Sequence, residues 1–397
     1  MHEKPFAGVN GSGKHNNWSL ATDTGVNLFE PGNSPYENAQ FMLFFAAVVK
    51  AVDEYQDLLR VSVSSAGNDC RLGGNEAPPA IISVFTGEEL GEIIEAIDKG
   101  VNPAAKAKRV LKLGVDSLPD FPMDTTDRNR TSPFAFTGNK FEFRMLGSSF
   151  SVAGPNLILN TVVAEELEQF ADALEGAHDF MNELNDLVAK TIREHKRIIF
   201  NGNNYSEEWA KEAAKRGLLN LKSSDEALPY FKKQKNIDVF AKHGVLSALE
   251  VESRTDIMLE NYCKTVLIEA ECMVDMAMKE IFPAVVKYSA CLAQSVTAKR
   301  AVSAELDEDA ETDVLKRLSA FGGEIKRRAD ELDASAQRRA WQTRRLRISA
   351  VGKSSRAWKN CAPRPTGRKG SRRKNTGRSR PIRNCFSACE EIFGKSA

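Results

Sequence analysis

Hydrophobic positions recur at helical spacing from Asn38 to Arg60, where Phe41, Phe44, Phe45, Val48, Val49, Val52 and Tyr55 fall along one face. A stripe that wide predicts a helix laid against a large apolar partner. Val61, Val63 and the small residues after them read as a strand entering a turn at Gly67-Asn68-Asp69. Thr86 and Glu89 make a capping-box pattern, and Leu90, Ile93, Ile94 and Ile97 follow at core spacing until Gly100, which predicts a structural helix. The period then changes. Phe141, Phe143 and Met145 alternate with Lys140, Glu142 and Arg144, the period-two pattern of a strand, which taken alone is that of an ordinary solvated sheet face. From Val163 to about Gln337 the helical period returns. A long helix is predicted over Glu165 to Arg197, a shorter one over Ser206 to Arg216, and another from Thr255 to about Arg300, with Leu259, Tyr262, Val266, Met273 and Met276 on one stripe. Methionines at that spacing read as core packing.

At 397 residues and 42% hydrophobic, the chain can bury a large core in two or three domains. A net charge of +1 selects no particular partner. No apolar run is long enough to span a bilayer and no signal segment opens the chain, so the expected location is cytoplasmic. The seven cysteines are scattered without a Cys-x-x-Cys pair, which predicts reduced thiols. Cys385 and Cys389 stand four apart with no histidine nearby, half of a metal site at most. Between Arg338 and Arg383 there is no Asp or Glu, while Arg, Lys, Gly, Ser and Pro recur. Such a tail is expected to be disordered. A nucleic-acid-binding arm is one reading of it. A shift of reading frame is the preferred one, because the composition flips within a few residues and only Trp341 and Trp358 offer stacking surfaces.

The densest collection of candidate chemistry is Gly8 to Ser19, GVNGSGKHNNWS. It reads as a turn-rich loop in which Gly11 and Gly13 permit positive φ and close approach of a ligand, while Asn10, His15 and Asn17 are aimed inward. Gly8, Gly11, Gly13 and Lys14 nearly spell a phosphate-binding loop, but His15 stands where a hydroxyl is needed, and neither a buried strand before nor a helix after is predicted. That reading is set aside.

NGSGKHNNWS resembles the NG-x-G-x-H-x-x-x-S loop of glutamine synthetases, and three further segments resemble that family in its order: AGNDCRLGGNEAPPA (Ala66 to Ala80), DRNRTSPFAF (Asp127 to Phe136) and GNKFEFRMLGSS (Gly138 to Ser149). The wording is closest to the type III branch. The resemblance implies an α+β fold: part of the curved antiparallel catalytic sheet with packed helices, followed by a mostly α-helical region. The expected divisions are 1–165 (catalytic part), 166–337 (helical carboxy-terminal domain) and 338–397 (basic tail). It implies ATP-dependent ligation of ammonia to glutamate through a γ-glutamyl phosphate, with magnesium or manganese and with active sites between subunits of a homo-oligomer.

By the same resemblance His15 and Glu142 would bind one metal. Asn10, Gly11, Arg71 and Arg144 would hold the amino acid substrate, the arginines by forked contact with its carboxylates. Arg130 would sit on the transferred phosphate, Ser19 and Lys140 would lie toward the nucleotide, and Glu76 would belong to an acidic flap that takes a proton from ammonium. Asn17 stands where type I enzymes carry a second histidine, and the Arg71 to Glu76 interval is one residue shorter than in type I. The family's amino-terminal sheet domain and its upstream glutamates would precede Met1, so the chain is expected to be inactive by itself. The rival readings are a catalytically dead interaction protein that assembles with full-length subunits and a nucleic-acid binder working through the tail.

Overall fold

The structure, a computed structural model, describes residues 12–32, 35–36, 38–74, 77–100, 110–111, 121–122 and 131–358, the side chains of 110–111, 121–122 and 339–358 excepted. Backbone contacts divide the chain into two units, Met1–Leu259 and Glu260–Ala397.

The first unit is built on a small mixed sheet of order β1 (Gly13–Trp18), β6 (Phe141–Gly147), β5 (Phe134–Phe136) and β2 (Val84–Phe85). β1 and β5 pair antiparallel with β6, whereas β2 runs parallel to β5, so the described sheet is not wholly antiparallel as expected. A separate two-residue pair, β3 (Val110–Leu111) and β4 (Phe121–Pro122), is also antiparallel.

The alternation in β6 explains the core. Phe141, Phe143 and Met145 are all fully buried, and Phe141 stacks on Phe134 with ring centroids 5.1 Å apart. The helix α1 (Ala39–Glu54) lays Phe41 and Phe45 on this face; Phe45 lies 6.0 Å from Phe141 and 5.8 Å from Phe136. Asn38 starts α1 by accepting from the Phe41 N–H at 3.0 Å, the capping arrangement that turn-forming Asn favours. α2 (Gln56–Val61) follows directly.

Four local expectations are corrected. Val61 to Asp69 is not a strand but the end of α2 and the short helix α3 (Ala66–Arg71), whose N-cap Ser65 accepts from the Asn68 N–H. The Thr86–Glu89 capping box does not form at α4 (Gly87–Asp98); Thr86 instead exchanges hydrogen bonds with Asn201, from a loop 115 residues away. The predicted long helix is two, α5 (Ala153–Leu174) and α6 (Phe180–His195). Gly176 takes φ +79° between them, and Asp179 accepts from the Asn182 N–H to begin the second, so a left-handed glycine followed by a fresh cap breaks a continuous apolar pattern. The basic segment is helical up to Trp358, further than the disordered tail expected from Arg338; 359–397 lie outside the described residues.

α7 (Glu207–Lys215), α8 (Ser224–Ala227) and α9 (Gln234–Lys242) complete the first unit with α10 (Ala248–Met276) up to Leu259. In the second unit, a π turn at Ala277–Ile281 leads into α11 (Phe282–Val302). It precedes Pro283, which has no N–H for a helical bond, and widened turns commonly absorb such a defect. Ala270, Leu332 and Ala336 form a buried cluster between α10 and α12 (Asp309–Trp358), with Met273 packed on it. Met273 is therefore core, whereas Met276 is 54% exposed. Among the described residues no helix is long and apolar enough to cross a membrane.

Candidate active site

The Gly8–Ser19 segment was expected as a loop, yet Gly13 to Trp18 is a strand. Asparagine and glycine have poor strand propensity, but β6 supplies a partner and α5 supplies side-chain anchors. Asn16 donates to Asn156 at 2.7 Å and the Trp18 indole to Asn160 at 2.9 Å. Those two residues are buried, while His15 and Asn17 emerge on the opposite face of the strand.

The register between β1 and β6 slips at one place. Lys14 pairs with Leu146 and Asn16 with Phe143, so Arg144 and Met145 together oppose His15. A bulge of this kind re-aims side chains beside it. At this point His15 Nδ1 lies 2.7 Å from Glu142 Oε1. Arg144 folds back along its own strand and donates from Nε and Nη2 to Glu142 Oε2 at 2.8 and 2.6 Å. Glu142 thus has one oxygen committed to a guanidinium and the other to an imidazole. The hydrogen bond from His15, opposed by burial and helped by the Arg144 donors and charge, takes the Glu142 carboxyl down to about 2. It is a carboxylate at any ordinary pH.

Arg71 approaches the cluster from α3. Its Nη1 donates to the carbonyls of Met145 (3.2 Å) and Leu146 (3.1 Å), and its Nη2 to that of Arg144 (3.2 Å). The guanidinium lies against Gly13, where an added Cβ would sit 2.0 Å from Arg71 Nη2. The need for glycine is met here by an arginine's approach rather than by a positive φ. Gly13→Ala is expected to displace Arg71 and lower stability by about 1–3 kcal/mol, the usual cost of overpacking; an unchanged urea midpoint would disprove the packing account.

Ser19 donates to Asn27 at 2.8 Å and to the Asn139 carbonyl at 3.3 Å, and Lys140, half-buried, immediately precedes β6. Asn17 is the cross-strand partner of Glu142. Asn10, Gly11, Glu76 and Arg130 lie outside the described residues. The structure therefore brings together His15, Glu142, Arg144 and Arg71. It adds a residue that pattern reading passed over: Asn68, fully buried, donates to the carbonyls of Val63 (2.7 Å) and Met145 (2.9 Å). Its place inside AGNDCR was its only sequence signal.

Two other features compete for attention. A cavity of about 1220 Å³ lies between α4 and the end of α6, but its cations are engaged internally: Lys196 with Asp98, Arg197 with Asp53 and Arg216 with Glu212. Glu165, Glu168 and His243 also converge closely enough to share an ion, yet Lys242 already places its ammonium 2.8 and 3.3 Å from the two carboxylates. That group is an ion-pair network joining α5 to α9. Burial raises the Glu165 carboxyl, but hydrogen bonds from Lys242, Gln169 and His243 outweigh it and leave it at about 2. A folded value below the ordinary 4.5 means stability that is full above that pH and is lost as pH falls toward 2. With Lys242 44% exposed, the contribution is discounted to about 1–2 kcal/mol. Glu165→Gln should flatten the acid limb of a stability-against-pH curve between pH 5 and pH 2 by about that amount; an acid limb as steep as wild type would contradict the assignment.

Residues 183–300 match the family model described as the glutamine synthetase C-terminal domain. The chain is 48% identical over 301 residues to the type-3 glutamine synthetase of Dictyostelium discoideum, covering 75% of the chain and 41% of that protein. It is 42% identical over 362 residues to the glutamine synthetase of Butyrivibrio fibrisolvens, covering 89% and 51%. The chain belongs to the glutamine synthetase family. The same holds at 41% identity over 312 residues for the glutamine synthetase of Bacteroides fragilis, covering 77% of the chain and 43% of the relative. The chain spans about half the length of the curated relatives it matches, 41–51%.

Proposed function

We propose that the chain supplies part of the active site of an ATP-dependent glutamate–ammonia ligase, and that His15 and Glu142 hold a divalent cation there. The observation carrying this reading is the His15 Nδ1–Glu142 Oε1 approach of 2.7 Å, with Arg144 fixing the other oxygen. The fit rests on the donors. A half-exposed imidazole and a permanently ionised carboxylate share a proton that a cation can replace, and a mixed nitrogen and oxygen set suits manganese better than magnesium. When bound, the ion supplies charge neutralisation for phosphate oxygens.

The rest is done by side chains. Arg144 and Arg71, together with Asn10 and Gly11, hold the amino acid substrate in this reading. Arg130 stabilises charge on the transferred phosphate, Glu76 accepts the ammonium proton, and Ser19 and Lys140 face the nucleotide. Glutamate, ammonia and ATP are the substrates in this reading. In this reading β1, β6 and β5, which pair antiparallel, belong to a curved catalytic sheet within 1–165, ahead of a helical domain (166–337), in a cytoplasmic homo-oligomer whose sites lie between subunits. The family relationship does not favour the two rival readings, an interaction protein and a nucleic-acid binder.

Manganese titration of the purified 397-residue chain, followed by loss of the free-ion electron paramagnetic resonance signal, tests the site. Saturable binding of about one ion, competed by excess magnesium, is expected; an undiminished free-ion signal would overturn the reading.

A further inference from the structure

The six-residue helix that carries Arg71 is clamped from two directions. On one side Asn68 and Arg71 bind the carbonyls of Arg144, Met145 and Leu146, the stretch containing the bulge opposite His15. On the other side Asp69 faces a different part of the chain. Its Oδ1 accepts from Arg60 Nη2 at 2.8 Å and from the Ser224 hydroxyl at 2.8 Å, and its Oδ2 accepts from the Ser224 backbone N–H at 2.6 Å. Arg60 in turn donates from Nε to the Leu221 carbonyl at 2.8 Å. The side chains of Arg60 and Asp69 are 2% and 9% exposed, so these charge-assisted bonds are shielded from water and strong. Leu221 and Ser224 lie within the residues matching the glutamine synthetase C-terminal domain.

A helix this short has too few internal bonds to fix its own direction, so its orientation is set by what grips its ends and flanks. We propose that Asp69 is a positioning residue through which the Leu221–Ser224 segment sets the geometry of the His15–Glu142–Arg144 cluster. The route is short: Ser224 to Asp69, along one residue to Asn68, across its amide to Met145, and so to the bulge. It rests on the cation-binding reading above. Outer partners that orient metal ligands commonly change affinity by 10- to 100-fold when removed, and Asp69 stands one step further out.

Manganese affinity of the full 397-residue chain is measured by electron paramagnetic resonance, with circular dichroism establishing that each variant is folded at the working temperature. Asp69→Asn keeps the shape but drops the charge, and is expected to weaken binding about tenfold. Ser224→Ala removes one of the three bonds to Asp69 and should weaken it about two- to threefold; it decides the matter if Asp69→Asn does not fold. Leu184→Ala, a buried α6 position outside this network, should lower the thermal midpoint and leave affinity unchanged. The proposal is overturned if folded Asp69→Asn and Ser224→Ala bind as wild type does, or if Leu184→Ala weakens binding equally. Wild-type chain that binds no manganese would remove the underlying site reading, and this proposal with it. Binding by wild type with no loss in the variants removes the proposal alone.

Discussion

Replacing Glu142 by alanine is expected to abolish measurable manganese binding by this chain, a weakening of more than about a hundredfold, since loss of mere outer-shell partners already costs 10- to 100-fold. The substitution removes one of two proposed ligands and also the counter-charge of Arg144, whose side chain is 5% exposed. Taking this carboxylate from beside a buried guanidinium also costs stability, so alanine alone would confound binding with folding. Glu142→Gln separates them. The amide oxygen can still accept from Arg144, which retains much of the stability, but it is a poor ligand for a hard cation. The expected result is a folded chain that does not bind manganese. A Glu142→Gln chain with wild-type affinity would show that the carboxylate serves Arg144 and His15 only.

Parts of this arrangement were legible in the residues because single local periods decided them. The face of α1 follows from Phe41 to Val52 at helical spacing. The buried side of β6 follows from Phe141, Phe143 and Met145 at spacing two. The polar side of β6 did not declare itself, since Lys140, Glu142 and Arg144 look the same whether they face water or each other. Only the bulge, a feature of pairing between strands 127 residues apart at His15 and Glu142, makes Arg144 turn back on Glu142.

β1 was missed for a related reason. GKHNNW has the composition of a turn, and its strand conformation comes from β6 and from Asn156 and Asn160 on α5. The residues after Val61 misled in the other direction, because β-branched side chains suggested a strand where Ser65 and the buried Asn68 build a helix instead. The Asp69–Ser224 link joins positions 155 residues apart, and no local pattern reports it.

The purified 397-residue chain is expected to form glutamine from glutamate, ammonia and ATP at no more than about a hundredth to a thousandth of the rate of a full-length glutamine synthetase, the loss typical of removing even one preorganised electrostatic contact. Joining two anionic substrates at a transferring phosphate requires their combined negative charge to be neutralised in a site closed to water. His15 and Glu142 can hold at most part of the coordination of one ion. Among the described residues, the grouping of three potential ligands is Glu165, Glu168 and His243, which belongs to the α5–α9 network and already contains Lys242. The chain aligns with 41–51% of its relatives' length, and the remaining part of those relatives lies outside the alignment. Adding that remaining part of a type-3 glutamine synthetase as a separate polypeptide should raise glutamine formation, and Glu142→Gln in this chain should cancel the gain. Robust ATP-dependent turnover by the chain without any addition would mean that its own residues complete the charge neutralisation, and that His15 and Glu142 are only part of a site gathered entirely within these 397 residues.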